Sequence, residues 1–201
     1  MQTQRRRVPD CFSEKTREWF ERNVGEPTPA QAEGWRAIAE GGDVLISAPT
    51  GAGKTLTAFL YWLDRLAGEN VGDGCAIVYL SPLKSPGNDI RENLKRPLVG
   101  LGLEETLRAA VRNGDTARTE RERMLRKPPH ILITTPESLY LLLTSERSAN
   151  ILRATRCVIV DELHAVMNSK RGAHLMLSLE RLNRLCETHP QRIGLSATVE
   201  P

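Results

Sequence analysis

The sequence predicts an α/β fold: a mostly parallel central sheet flanked by helices on both faces. Three observations predict it. Short apolar runs, such as Ile131-Leu132-Ile133-Thr134 and Cys157-Val158-Ile159-Val160, recur between segments of helical periodicity. Those runs are apolar throughout, as strands covered on both sides are. A glycine-bearing turn joins the first run to a long apolar helix, and ligands of such sheets sit beyond the carboxyl ends of the strands.

Each element follows in order. Ser13 caps a helix running to about Val24, with Trp19, Phe20 and Val24 on its apolar face. Thr28 as N-cap and Pro29 at the first helical position start the next helix, and Gly41-Gly42 ends it. Residues 43–47 read as a short buried strand, 54–66 as a helix and 68–74 as a surface connection. Further strands are expected at 75–80, 107–112, 131–134, 157–160 and 192–195. Helices between them centre on 88–95, 117–126, 137–143 and 173–187, and Pro190 stops the last. There is no internal repeat and no sign of a second domain. Residues 1–12 read as a basic tail and 13–201 as one domain.

A chain of 201 residues suits one compact core, and 40% hydrophobic content excludes disorder. The net charge of +3 permits a polyanionic partner without demanding one. Arg5, Arg6 and Arg7 read as part of a solvated terminus. Cys11, Cys75, Cys157 and Cys186 form no C-x-x-C pair, and the four histidines lack zinc spacing. No zinc and a reducing, cytoplasmic setting are therefore expected. No run approaches the roughly 20 apolar residues of a membrane span, and no signal peptide is visible. No membrane partner is expected.

Ala48-Pro49-Thr50-Gly51-Ala52-Gly53-Lys54-Thr55 lies between a strand and a helix, where a phosphate loop belongs. Gly51 and Gly53 let several N–H groups converge on one anion, and the helix N-terminus adds its dipole. Lys54 reaches the β- and γ-phosphates, and the Thr55 hydroxyl ligates Mg²⁺. ATP and Mg²⁺ are the expected cofactors of this P-loop NTPase. Ala48 departs from the usual glycine, and a ligand-free strand-to-helix turn is the competing reading. Asp161-Glu162-Leu163-His164 follows an apolar strand. Asp161 would hold Mg²⁺ through water, and Glu162 would polarise the attacking water. Alone, such a pair equally suits a helix cap; beside a phosphate loop, the catalytic reading prevails.

The loop, the acidic box and Ser196-Ala197-Thr198 resemble, in order, motifs I, II and III of superfamily 2 DEAD/DEAH-box-type helicases. Thr134-Thr135-Pro136-Glu137-Ser138 is similar to motif Ib, and Gly114-Asp115-Thr116 to a motif of Ski2-like and large helicase-related (Lhr) proteins. The stretches 128–138, 170–174 and 195–201 resemble the Lhr group in particular. The resemblance implies an N-terminal RecA-like domain and an ATP-dependent helicase acting on DNA, RNA or a hybrid, with 3′ to 5′ movement. It also implies roles. Gln31 reads adenine, although Thr28-x-x-Gln31 is equally a capping box. His164, Ser196, Ala197 and Thr198 couple nucleotide state to domain movement. Lys84, Gly114, Asp115, Thr116, Thr135, Pro136 and Glu137 bind the nucleic-acid backbone; for Thr135 a plain helix cap is the alternative.

Two positions depart from the family. Ser85-Pro86 replaces the usual Ala-Leu of motif Ia, so residue 86 has no N–H to offer a phosphate. Val24 stands where relatives often carry an aromatic residue, leaving Phe12 as the candidate to stack on adenine. The chain reaches motif III and no further, so the second RecA-like domain and its arginines are expected to be absent. Lacking an arginine finger costs on the order of 10³–10⁵ in turnover. A chain of this extent is expected to bind ATP without unwinding a duplex. Two other functions compete: a nucleotide-responsive nucleic-acid clamp without motor activity, and a P-loop ATPase acting on other substrates.

Overall fold

The computed structural model describes residues 7–69, 71–82 and 86–197. Lys84 and Thr198, two of the expected site residues, lie outside the described residues.

The helices are α1 (Glu14–Asn23), α2 (Pro29–Ala39), α3 (Lys54–Ala67), α4 (Pro86–Gly100), α5 (Arg118–Arg126), α6 (Pro136–Leu143), α7 (Glu146–Asn150) and α8 (Lys170–Leu185). The strands are β1 (Val44–Ser47), β2 (Ile77–Leu80), β3 (Ala109–Arg112), β4 (Ile131–Thr134), β5 (Cys157–Val160) and β6 (Gln191–Ser196). They form one parallel sheet in the order β1-β6-β5-β2-β4-β3.

The pleat divides each central strand between two cores. Ile77, Tyr79, Ile131, Ile133, Cys157 and Ile159 face the side carrying α1 to α4. Val78, Leu80, Leu132, Val158 and Val160 face the side carrying α6 and α8. Every residue of β2, β4 and β5 is buried, which is why these runs do not alternate. The first core centres on Trp35, wholly buried between Phe12 and Phe20, both edge-on at about 5 Å. A fully buried side chain of this class contributes roughly 1.5–3 kcal/mol. Its indole N–H donates to Thr57 O at 3.1 Å, so the burial leaves no polar atom unpaired.

Several expectations are corrected. Residues 7–12 are not a free tail: Val8 and Phe12 are buried in the first core, so the packed unit begins ahead of residue 13. Helix α4 contains the expected 88–95 and runs on through Pro97 to Gly100, with Leu94 and Leu98 buried along it. Helix α7 has only five residues, too short for a periodic signal. Cover is also incomplete at one end. Leu45, on the face of β1 opposite Ile46, is 62% exposed.

Candidate active site

At the carboxyl end of β1 the chain leaves the sheet and curls before entering α3. Ala48 is buried and its N–H donates to Ser196 O at 3.3 Å, so the methyl group fills core space where a glycine is usual. Gly51 and Gly53 have φ of 84° and 78°, a region that favours glycine. At Gly53 space is limiting as well: a Cβ there would lie 2.4 Å from Gln31 Nε2.

The N-terminus of α2 braces this loop. Thr28 Oγ1 accepts from Gln31 N at 3.2 Å, and Thr28 N donates to Gln31 Oε1 at 2.9 Å. The capping-box alternative for Gln31 is thus the geometry present. The Thr28 hydroxyl also donates to Ala52 O at 3.0 Å, tying helix to loop. Lys54 turns back on the loop, donating to Ala48 O at 2.6 Å and Pro49 O at 3.0 Å. Its cation therefore stands over the concave side of the turn.

Asp161 follows β5, and its odd-numbered place in the pleat sends it to the α3 side. Its Oδ2 accepts from the Tyr79 hydroxyl, and its Oδ1 accepts from Glu162 N at 2.8 Å. Burial, and then the negative Asp161, push the Tyr79 phenol far up, so it remains a donor at neutral pH. Glu162 occupies the left-handed region at φ 47°, rare for a residue with a side chain and common where function outweighs strain. His164 Nε2 lies 3.3 Å from Glu162 Oε2, and His164 Nδ1 lies 3.2 Å from Ser196 Oγ. One ring thus links the acidic box to β6, with Ala197 O accepting from Ser196 Oγ at 2.9 Å.

These groups share one cavity of about 450 Å³, lined by Thr50, Gly51, Gly53, Lys54, Thr55, Asp161 and Glu162. Trp19 and the half-exposed Val24 close its far side. Phe12 does not reach it. That ring is buried against Trp35 and Tyr61, which corrects the expectation that it stacks on a base. The donors fit a hydrated divalent cation beside a polyphosphate: a hydroxyl and a carboxylate as hard oxygens, one ammonium, and the start of a helix.

A second group lies at the carboxyl ends of β3 and β4. Gly114 and Asp115 are exposed on a turn held by Asn113, whose Oδ1 accepts from Asp115 N at 3.0 Å. Thr116 Oγ1 accepts from Asn113 N at 2.9 Å. Arg121 donates to Gly114 O at 2.7 Å. Arg112 stands beside Arg121, and its Nη1 is buried without a partner among the described residues. Thr135 and Pro136 are buried. The Thr135 hydroxyl caps α6, accepting from Ser138 N at 3.3 Å, and the Glu137 carboxylate is held by Arg171 at 2.5 and 3.1 Å. Both side chains are thus engaged within the protein.

Sequence reasoning missed Tyr79, Arg112 and Arg121. The signal for the first was present: a hydroxyl inside an otherwise apolar buried run needs a partner. Nothing in the spacing singled out the two arginines. Among the described residues, no helix is long and apolar enough to cross a membrane, and all four cysteines are free thiols.

The fold and the loop define a P-loop α/β domain of the RecA-like class. The DEAD/DEAH box helicase family matches residues 28–201, and the chain belongs to that family. Its relatives include the Lhr helicase/probable uracil glycosylase of Mycolicibacterium smegmatis, 52% identical over 200 residues. That match covers 94% of this chain and 13% of the relative. The ATP-dependent helicase Lhr-Core of Methanocaldococcus jannaschii is 47% identical over 207 residues, covering 96% of this chain and 24% of the relative. The chain therefore spans about a quarter or less of the curated relatives it matches. The structure of Mycobacterium smegmatis helicase Lhr bound to ssDNA and AMP-PNP superposes with a TM-score of 0.88 at 51% identity. It is matched over 94% of this chain and 25% of that one.

Proposed function

We propose that this chain is the ATP-binding motor domain of an Lhr-type helicase or translocase. It couples ATP binding and hydrolysis to movement on DNA or RNA when joined to a second RecA-like domain. One observation carries the reading: the 48–55 loop and the Asp161-Glu162 pair converge on a single cavity at the carboxyl edge of the sheet. Lys54 leaves its loop carbonyls for the β- and γ-phosphates, and the loop N–H groups, from Thr50 to Thr55, surround them. Thr55 and Asp161 hold Mg²⁺, which when bound neutralises charge on the phosphates. Glu162 orients the attacking water and His164 relays its position to Ser196, Ala197 and Thr198. Gln31 approaches the adenine from beside Gly53.

Nucleic acid crosses the carboxyl ends of β3 and β4. Gly114, Asp115, Thr116 and the start of α6 at Thr135 and Glu137 contact the backbone through main-chain groups, Pro136 fixing where that helix begins, with charge from Lys84, Arg112 and Arg121. The ssDNA and AMP-PNP held by the Mycobacterium smegmatis relative support both halves of this reading. Free cysteines suit a cytoplasmic setting.

The test is ATP hydrolysis measured with single-stranded DNA, RNA and a hybrid added separately, beside ATP affinity of Lys54→Ala. At least one polynucleotide should stimulate turnover, and Lys54→Ala should abolish ATP binding. Unchanged affinity in that variant would sink the phosphate-loop assignment. Turnover indifferent to every polynucleotide would point to a P-loop ATPase with other substrates.

A further inference from the structure

We propose that Tyr79 is a positioning residue of the nucleotide site. Its hydroxyl holds the Asp161 carboxylate in the orientation in which it takes the magnesium ion of Mg·ATP. This rests on the functional reading above.

The ring is fixed from three sides. Tyr79 is wholly buried in the middle of the sheet, with β2 hydrogen-bonded to β4 on one flank and β5 on the other. Its register partner on β5 is Ile159, two residues before Asp161, so both side chains emerge on the α3 side. The ring stacks on Phe59 with centroids 5.2 Å apart and planes 22° from parallel. Phe59 lies four residues after Thr55 on α3 and shares its helix face. One aromatic side chain therefore ties the strand beside the acidic box to the helix that carries Thr55.

The hydroxyl meets a group that this reading assigns to the cation. It donates to Asp161 Oδ2 while Glu162 N–H donates to Oδ1 at 2.8 Å. With one donor on each oxygen, rotation of the carboxylate is stopped, and each oxygen keeps a lone pair for a metal-bound water. A Phe or Leu would fill this core position with no polar atom to satisfy, yet the buried hydroxyl is spent on the Asp161 carboxylate.

Tyr79→Phe removes the hydroxyl and keeps the ring, so its stack on Phe59 survives. The affinity of the 201-residue chain for mant-ATP is measured in EDTA and across a MgCl₂ titration. The environment of bound Mn²⁺ is read by electron paramagnetic resonance. Loss of an outer partner of a metal ligand commonly weakens metal binding roughly 10–100-fold. The Mg²⁺ midpoint should therefore rise about tenfold or more, with affinity in EDTA unchanged and the Mn²⁺ spectrum altered. On an Asp161→Asn background, Tyr79→Phe should add almost nothing, since both changes remove one unit. An unmoved Mg²⁺ midpoint, an equal loss in EDTA and in Mg²⁺, or full additivity of the two variants would each overturn the assignment. If the parent chain itself fails to bind mant-ATP, the functional reading falls instead, so the two failures are distinguishable.

Discussion

Thr28 serves two partners through one hydroxyl. The oxygen accepts from Gln31 N and donates to Ala52 O, so a helix cap and a phosphate-loop carbonyl depend on the same atom. Losing an N-cap costs about 0.5–2 kcal/mol. Thr28→Ala should lower the unfolding free energy by that order in urea titrations and also weaken ATP binding, because Ala52 O loses its donor. Thr28→Ser should restore both. Much of this was legible before the fold was known: the cap, its Gln31 partner and the Gly51 to Thr55 loop are local in sequence. The Thr28–Ala52 link was not, because it joins residues brought together only by the packing of α2 on α3. Tyr79 was overlooked for the same reason. Its partner Asp161 lies far away along the chain and meets it only where β2 and β5 pair.

Helices α6 and α8 pack side by side on the second core, and at their N-terminal ends the Arg171–Glu137 fork joins them. The Arg171 guanidinium is the main reason the Glu137 carboxyl sits below its ordinary value of 4.5. A depressed carboxyl stabilises the fold above the unfolded value and loses that contribution as pH falls through the folded one. Half-exposed pairs of this kind contribute roughly 0.2–1 kcal/mol. Glu137→Gln should therefore be less stable than the parent at pH 7 by about that amount, and the difference should shrink toward zero in acid. Urea unfolding at both pH values checks it. Elsewhere in the molecule, α8 approaches the acidic-box turn so closely that a Cβ at Gly172 would lie 2.1 Å from Val166 O. The Lys170-Arg171-Gly172 stretch, met in sequence as a family likeness, has this packing as its physical content. Elements β4 and β5 were read to the residue because apolar runs of four end sharply at Thr134 and Val160. Only the centre of α4 was legible at 88–95; that it continues through Pro97, which interrupts the hydrogen-bond ladder, follows from the burial of Leu94 and Leu98.

At the scale of the whole molecule, the sheet is well covered in its middle and bare at one end. Among the described residues, strand β1 is an edge strand hydrogen-bonded only to β6, and Leu45 projects from it with 62% of its surface exposed. Leu163 and Gly194 lie beside it, extending the apolar ground. An open strand edge next to exposed apolar side chains invites contact with other chains. That has a practical side. How concentrated this polypeptide can be held should be governed at Leu45, which does not line the nucleotide cavity. Leu45→Lys should raise the protein concentration at which light scattering first increases and leave mant-ATP affinity unchanged. An onset no different from the parent's would move the sticky surface elsewhere. The same bare end that leaves this fold incomplete in cover would then set its shelf life in a tube.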